Sequence, residues 1–442
     1  MQKNFVPGSV ITRRLPGLIL IMLISFFGSL FAHPMPTSMV LLTVHADKIE
    51  AEVQIPLNEL QAAFGHAVND SSYHLVARLG PELRNYLSQH IQVKSPDGKI
   101  WAVRVGSLSV HETKNLINGL YKELVAQIRL VPPTGTNIRH FTLNYDAVIH
   151  QVVTHKILVS VHQDWAQGIV GHDDAQSLGL IELDIQSNTI PALDVNLNEA
   201  SAWKGFKAMV LLGTRHIAEG TDHLLFLLVL LLPAPLMAAG KRWGKFGGVR
   251  FSLVNLLRIV TAFTIGHSIT LLAGSLGWVR LPSQPVEILI ALSILISAIH
   301  AARPLFPGKE AWVAASFGLI HGLAFAGALA NLQLDAGSMA LSILGFNIGI
   351  EIMQLLVIGV TIPWLILLSR TSAYNYVRII GSILSGIAAC AWLAERMTGQ
   401  GNFLTRNVEL LAGYAPHMVF LLGLLALFFT LRINQSGINQ KI

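Results

Sequence analysis

The segment GTRHIAEGTDHLLFLLVLLLP, residues 213–233, combines ionisable side chains with the composition of a membrane-spanning helix. Leucine and valine dominate its second half, whereas its first half contains His216, Glu219, Asp222 and His223. As one continuous helix with about 100° per residue, the segment places these four side chains on one stripe. Because ionisable groups are costly in lipid and normally face a partner or a cavity, the stripe predicts a polar site inside the membrane.

The composition of the whole chain also favours a membrane protein in contact with lipid. Of its 442 residues, 52% are hydrophobic and only 13% are charged, whereas soluble domains are about 25% charged. The formal net charge is +6, but the sequence has no long basic run and no nucleic-acid motif, so nucleic acid is not an expected partner. The single cysteine, Cys390, excludes an intramolecular disulfide.

The N-terminal part of the sequence predicts an exported domain. Lys3, Arg13 and Arg14 precede an apolar run that ends at Ala32, which is the layout of a secretory signal peptide over residues 1–32. Cleavage after Ala32 would make His33 the mature N-terminus. Residues 33–198 contain several segments of alternating apolar residues, so we expect a mostly β, sandwich-like domain outside the cytoplasm.

Residues 199–442 predict a bundle of about seven transmembrane helices. Apolar segments lie near 206–232, 251–275, 285–303, 311–330, 339–368, 376–394 and 415–432, and each supplies most of the roughly 20 residues that a helix needs to cross a bilayer. An exported first domain makes the first helix begin outside. The next loop, with Lys241, Arg242 and Lys245, is then cytoplasmic, as the positive-inside rule requires. The chain is therefore expected in a bacterial-type cytoplasmic membrane, with its C-terminus inside.

Three further segments contribute ionisable or amide side chains to the same layer of the membrane. They contain His267 in the second segment, His321 in the fourth, and Glu351 with Asn347 and Gln354 in the fifth. Counting residues from the segment ends places these groups at middle depth. We therefore predict a metal site formed by His216, Glu219, Asp222, His223, His267, His321 and Glu351, with Asn347 and Gln354 as supporting residues.

The predicted ligands are imidazoles and carboxylates, which suit nickel, cobalt, zinc or iron as a divalent ion. The sequence has no cluster of cysteine or methionine typical of a Cu(I) path. It also lacks the glycine-rich ATP-binding motif that ends in Lys-Ser or Lys-Thr. We therefore expect the metal ion as substrate, no organic cofactor, and energy from a gradient or a separate protein.

At these residues the sequence resembles the HupE/UreJ family of membrane proteins, in the branch with a large exported N-terminal domain. His216, Asp222 and His223 match the family pattern of a histidine, five residues, an aspartate and a histidine. The segment FGLIHGLAFA, residues 317–326, resembles the second family motif in part. It retains one histidine, His321. The nickel-permease version has a second histidine near the position of Gly318 and a glutamate near that of Ala324. The resemblance, taken over essentially the whole chain, implies nickel or cobalt uptake, and the departures leave the ion open.

Three classes of function agree with this pattern. The first is a divalent metal transporter. The second is an intramembrane zinc-dependent hydrolase, in which Glu219 or Glu351 would act as general base and Ser268 would support His267. The third is an accessory membrane protein that transports nothing and whose exported domain binds a protein partner.

Overall fold

A computed structural model of the chain describes residues 37–68, 72–115, 119–171 and 175–439. The predicted signal peptide and His33 lie outside these residues. The described chain consists of a strand-rich N-terminal domain followed by a region of long apolar helices, and the predicted fold class is confirmed in both parts.

Two sheets and two helices make up the N-terminal domain. The strands are β1 Ser38–Val44, β2 Ile49–Pro56, β3 Ile91–Lys94, β4 Ala102–Asn115, β5 Gly119–Val131, β6 His140–Tyr145, β7 Ile157–Asp164, β8 Gln176–Ile181 and β9 Leu193–Asn196, and the helices are α1 Leu57–Phe64 and α2 Ser72–His90. One sheet has the order β4-β5-β2-β1-β7-β8 and the other the order β3-β6-β9. Neighbouring strands are antiparallel except β1 and β7, which are parallel.

The two sheets share one hydrophobic core, as the alternating apolar residues predict. In β1 and β2 the side chains alternate between buried and half-buried positions, and Leu42 pairs with Ala51 on the buried face. Phe141 and Leu143 of the smaller sheet join the same core. Burial of such side chains stabilises the fold by about 1.5–3 kcal/mol each, which explains how the domain is held together without a disulfide.

The helical region begins after β9. Its helices are α3 Ala202–Glu219, α4 Thr221–Leu231, α5 Val249–Ser275, α6 Ser283–Ala302, α7 Glu310–Ala330, α8 Ala336–Leu368, α9 Tyr374–Thr398, α10 Phe403–Ala412 and α11 Ala415–Asn439. A hairpin of β10 Leu236–Ala239 and β11 Arg242–Phe246 connects α4 to α5. Within the described residues, six helices (α5 to α9 and α11) are long and apolar enough to cross a membrane.

The first predicted transmembrane segment differs from expectation because it is not one helix. Gly220 separates α3 from α4, with φ −72° and ψ 93° in place of helical values. A Cβ atom at this position would lie 2.6 Å from the His216 carbonyl oxygen and 2.9 Å from His223 Nδ1, so a larger residue would clash. The stripe that the sequence predicts on a continuous helix is therefore wrong in its geometry.

Two pairs of helices pack backbone against backbone through glycine. A Cβ at Gly213 of α3 would lie 2.0 Å from the Phe346 carbonyl oxygen of α8, and a Cβ at Gly349 of α8 would lie equally close to Val210. Gly318 and Gly322 of α7 make the same kind of approach to α5. Small residues allow such close contact in membrane proteins. The two pairs bring together the helices that contain His216, Asn347, His267 and His321.

The strand-rich domain contacts α3 directly. Trp165 begins a short 3₁₀ turn after β7, and a Cβ at Gly205 of α3 would lie 2.5 Å from the Trp165 ring. The carboxylate of Asp164, which is buried and paired with Arg139, accepts a hydrogen bond from Gln167 N and so closes this turn. On the same side of the bundle, His45 Nδ1 lies 3.4 Å from the carbonyl oxygen of Leu332, in the connection between α7 and α8.

Arg378 is buried near the beginning of α9. Its guanidinium donates to the carbonyl oxygens of Ala301 (2.6 Å) and Ala302 (2.7 Å) at the end of α6. These carbonyls have no partner within their own helix, and a cation at a helix C-terminus is favourable. The charge therefore joins two helices rather than marking a loop.

Candidate metal-binding site within the membrane

Four histidine rings from four helices converge in the middle of the helical region. The ring centroids of His216 and His223 lie 4.5 Å apart, those of His223 and His321 5.1 Å, and those of His216 and His267 6.4 Å. These residues belong to α3, α4, α7 and α5, respectively. Two imidazoles on one tetrahedral ion have centroids roughly 5 Å apart, given metal–nitrogen distances near 2.0 Å. Two of the three separations are of that size.

The hydrogen bonds of His223 leave one ring nitrogen available to a ligand. His223 Nδ1 lies 2.9 Å from Asp222 Oδ1, and a carboxylate can only accept, so Nδ1 carries the proton. Nε2 then holds the free lone pair. This atom is buried and has no hydrogen-bond partner among the described residues. A carboxylate bound to one nitrogen while the other remains free is the usual arrangement of a metal-binding histidine.

His321 is oriented in a similar way by a serine. Ser293 Oγ of α6 donates to the Ile290 carbonyl oxygen at 2.7 Å and lies 3.0 Å from His321 Nε2. Because its single hydrogen is already used, the hydroxyl accepts from Nε2–H. His321 Nδ1 is thus the nitrogen with a free lone pair, and in the described structure it is buried without a partner.

The other two rings have even fewer polar neighbours. His267 is 1% exposed, and neither of its ring nitrogens makes a hydrogen bond of regular geometry in the described part of the chain, although the Asn347 side chain is close enough to interact with the ring. His216 Nε2 is also buried without a hydrogen-bond partner there. The rings of Phe325 and Phe346 lie 5.0 and 5.3 Å from His216, centroid to centroid. A buried polar atom without a partner costs about 1–3 kcal/mol. Five such nitrogens in one place, two of them on His267, therefore call for a ligand.

The four rings are not arranged for binding to one common ion. Among residues 37–68, 72–115, 119–171 and 175–439, no three His, Cys, Asp or Glu side chains have positions that could hold a metal together. His223 meets His216 and His321 edge to face, with interplanar angles of 60° and 79°. Coordination would therefore require the rings to rotate.

Not all of the predicted ligands belong to this cluster. Glu219 is exposed at the end of α3, and Glu351 is half-buried on α8 with no described polar contact to the four rings. Gln354 accepts a hydrogen bond from Thr264 Oγ1 at 3.3 Å, so it joins α8 to α5. Asn347 donates to the Ile343 carbonyl oxygen, and its side chain also lies close enough to His267 to interact with it, although no hydrogen bond of regular geometry joins the two in the described structure.

Two features of the cluster were not predicted from the sequence. The first is the break at Gly220, for which the sequence has a signal: Gly220-Thr221-Asp222 is a helix stop followed by residues typical of a helix start. The second is Ser293. It lies four residues before Ser297 and seven before His300, so all three fall on one helix face, and all three are buried. This polar face on an otherwise apolar helix is the sequence signal that could have indicated a buried polar contact of α6.

The departures from the second sequence motif have a steric explanation. A Cβ at Gly318 would lie 2.1 Å from the Phe263 carbonyl oxygen and 2.9 Å from His267 N, so no side chain fits at this position. Ala324 is exposed and points away from the interior of the bundle. Neither a histidine at 318 nor an acid at 324 could join the four rings in this packing.

Residues 193–396 match the family model described as HupE / UreJ protein. The match covers β9 and nearly all of α3 to α9, which includes the four histidines and Asp222. Residues before 193 lie outside it, so the family resemblance predicted for the whole chain is confirmed only for this segment. No curated protein and no solved structure matches the chain.

Proposed function

We propose, from the match of residues 193–396 to the HupE/UreJ family model, that this membrane protein transports a divalent transition metal of the nickel or cobalt type. The observation that supports this most directly is the convergence of the buried His223, His267 and His321 with the half-buried His216. Five ring nitrogens of these residues are buried without a regular hydrogen bond in the described structure. A neutral imidazole is the commonest metal ligand in proteins. It also costs far less to bury in lipid than a permanent cation.

The chemistry of the cluster suits transient binding rather than a permanent metal. His223 Nε2 and His321 Nδ1 offer lone pairs, and the Asp222 carboxylate supplies one negative charge beside them. Nitrogen and oxygen ligands exchange more easily than a closed set of thiolates.

The break at Gly220 supports the same proposal. Transporters form their ion sites where membrane helices are interrupted, since the freed backbone groups and helix ends can face the substrate. Here α3 ends three residues after His216, and α4 begins just before Asp222 and His223. An acid in the first turn of α4 is also stabilised by the helix dipole. The proposed metal ligands thus lie on both sides of one interruption.

The proposed orientation has the strand-rich domain outside a bacterial-type cytoplasmic membrane and the C-terminus inside. Loops on the side away from that domain contain Lys241, Arg242, Lys245, Arg303 and Lys309. The loop of Leu332, which His45 contacts, has no basic residue between α7 and α8. Positive charge is therefore concentrated on the side that would face the cytoplasm.

The decisive experiment is ion uptake by proteoliposomes that contain the purified full-length chain. Ni²⁺, Co²⁺, Zn²⁺ and Fe²⁺ are offered in turn, and metal content is measured inside the vesicles and in the protein. We expect uptake of nickel or cobalt by the unaltered chain and its loss in His216→Gln and His223→Gln. The matched control is His300→Asn. His300 is a buried histidine outside the cluster, and its Nδ1 accepts a hydrogen bond from Leu305 N–H. The asparagine side chain retains an oxygen that can accept this bond.

Two outcomes would contradict the proposal. Full uptake by both cluster variants would remove the four histidines from the mechanism. Tightly bound zinc with no flux of any ion would favour the hydrolase. In that case Glu351 would be the better candidate for general base, because it is half-buried whereas Glu219 is exposed.

A further inference from the structure

A second group of histidines lies in the strand-rich domain, outside the segment that matches the family model. The rings of His90, at the end of α2, and His150, in the turn after β6, stack with their centroids 4.2 Å apart and their planes at 20°. His90 Nδ1 lies 2.8 Å from Asp146 Oδ1, and His150 Nδ1 lies 3.2 Å from the Asp146 carbonyl oxygen. Asp146 thus contacts the Nδ1 atoms of both rings, one through its side chain and the other through its backbone carbonyl.

These contacts determine which nitrogen of each ring is free. A carboxylate and a carbonyl oxygen only accept hydrogen bonds, so both Nδ1 atoms carry the proton. Both Nε2 atoms therefore hold lone pairs. Two neighbouring imidazoles, each fixed through Nδ1 by an oxygen, have the arrangement that metal-binding histidines adopt. The His90 side chain is 20% exposed and His150 is half-buried, so an ion from solution can reach them.

The turn that presents His150 has an unusual backbone. Val148 has φ 71°, in the left-handed region that β-branched residues rarely adopt. The Val148 N–H donates to Tyr86 Oη at 2.9 Å, and the Tyr86 ring packs against His90 and His150 with centroid distances of 4.5 and 5.8 Å. Such strain persists only where the surroundings impose it, and it is concentrated at functional sites.

We propose that His90 and His150 bind one late divalent transition metal, of the nickel, cobalt, copper or zinc class, on the surface of this domain. Asp146 acts as the orienting residue, and water completes the coordination. The two stacked rings must open from their 20° interplanar angle for both Nε2 atoms to reach one ion, and the contacts of both Nδ1 atoms with Asp146 limit how far each ring can turn. Two imidazoles and exchangeable water suit reversible capture better than permanent storage. This site does not depend on the proposed transport function.

The test is metal binding by the full-length chain in detergent, measured by equilibrium dialysis with micromolar Ni²⁺, Co²⁺, Zn²⁺ or Cu²⁺. His223→Gln is present throughout to weaken the membrane cluster. We expect His90→Gln and His150→Gln each to remove about one bound ion per chain, because neither imidazole alone holds it. Asp146→Asn should weaken binding by about 10- to 100-fold, as expected for the loss of an orienting group.

His140→Gln is the matched control. His140 Nε2 is likewise close to a carboxylate, Asp194 Oδ1, at 3.2 Å, and no histidine ring contact is described for it. Its variant should bind as many ions as the parent. With Cu²⁺, electron paramagnetic resonance should show two nitrogen ligands in the parent and fewer in either single variant. Equal loss in His140→Gln, or unchanged binding in both single variants, would overturn the proposal. Neither result would affect the uptake experiment.

Discussion

Two histidines, one in each half of the molecule, show that burial alone does not indicate function. His155 of the strand-rich domain and His267 of α5 are 2% and 1% exposed. His155 Nε2 lies 2.8 Å from Ser38 Oγ, and its Nδ1 lies 3.3 Å from Glu59 Oε2. Neither nitrogen of His267 makes a hydrogen bond of regular geometry among the described residues, although the Asn347 side chain lies nearby. His155 thus has one nitrogen in a hydrogen bond and the other beside a carboxylate, whereas both nitrogens of His267 have capacity left for a ligand.

The electrostatics of His155 agree with a structural role. Burial lowers the pKa of His155 to about 4 and raises the pKa of Glu59 above its usual value. The imidazole is therefore neutral at physiological pH and makes its contacts as a hydrogen-bonding group. The following four predictions test the contrast between this histidine and those of the membrane cluster.

The largest effect is expected from matched substitutions in the two halves. His321→Gln removes the lone pair at Nδ1 and should lower metal uptake by more than about 100-fold, since a ligand that binds the ion directly is lost. His155→Gln should change uptake less than about twofold, because its contacts lie within the strand-rich domain. Uptake is compared at equal amounts of inserted protein. Equal losses in the two variants would break the contrast.

The next effect concerns the residues that orient each histidine. Asp222→Asn keeps the size of the side chain but weakens the hold on His223 Nδ1, so uptake should fall by about 10- to 100-fold. Ser293→Ala should act in the same direction on His321 through the loss of one hydrogen bond. Measurement of uptake against ion concentration separates weaker binding from slower transport. Unaltered uptake in Asp222→Asn would show that the carboxylate does not orient the ring for metal.

A third effect appears in the pH dependence of stability. The folded-state pKa of His155, about 4, is below the ordinary value of 6.5. The unfolded chain therefore takes up a proton first as pH falls from 6.5 to 4, and the domain loses up to about 3 kcal/mol across that window. Glu59 has a raised pKa, so its protonation in the folded state offsets part of this loss at the acidic end.

Hydrogen exchange of the peptides that cover residues 38–56, corrected for intrinsic rates, measures that loss in the full-length protein. His155→Gln should reduce the difference between pH 7 and pH 5, because glutamine does not titrate. If the variant and the parent lose protection equally, another group causes the acid sensitivity.

The smallest effect is expected at Glu219. The sequence places it in the predicted stripe with His216 and His223, but in the structure it is exposed. Glu219→Gln should therefore alter uptake by less than about twofold, whereas loss of a metal ligand has a far larger effect. A loss comparable to that of His321→Gln would mean that Glu219 joins the four rings in another state of the protein.

Much of the architecture can be predicted from the sequence, because a membrane requires long apolar segments and a β-sheet core requires alternating apolar residues. Long apolar segments predicted the helices, and alternation predicted the strands around Leu42 and Ile49. The histidines were also predicted to converge, since middle depth leaves few places for polar groups. That convergence is present as ring contacts, although coordination of a metal remains a prediction.

The sequence prediction fails where a periodic pattern of apolar residues runs across a break in the helix. The leucines after His223 predicted one helix from 206 to 232, and this outweighed the local signal at Gly220. A continuous helix would place Glu219 on the same face as His216 and His223, whereas in the structure Glu219 is exposed. The hydrogen bond between Ser293 and His321 joins residues that are 28 positions apart in the sequence, and it forms only because α6 and α7 pack together. Neither a helical pattern nor a residue count contains such information.

The contact between Trp165 and Gly205 has a mechanical consequence. Since no space for even a methyl group remains between the indole and α3, the strand-rich domain cannot slide freely over this helix. From Gly205 the helix continues for 11 residues, or roughly 16 Å, to His216. The contact therefore ties the position of the strand-rich domain to the helix that contains His216, and the break at Gly220 separates this helix from the one that contains His223.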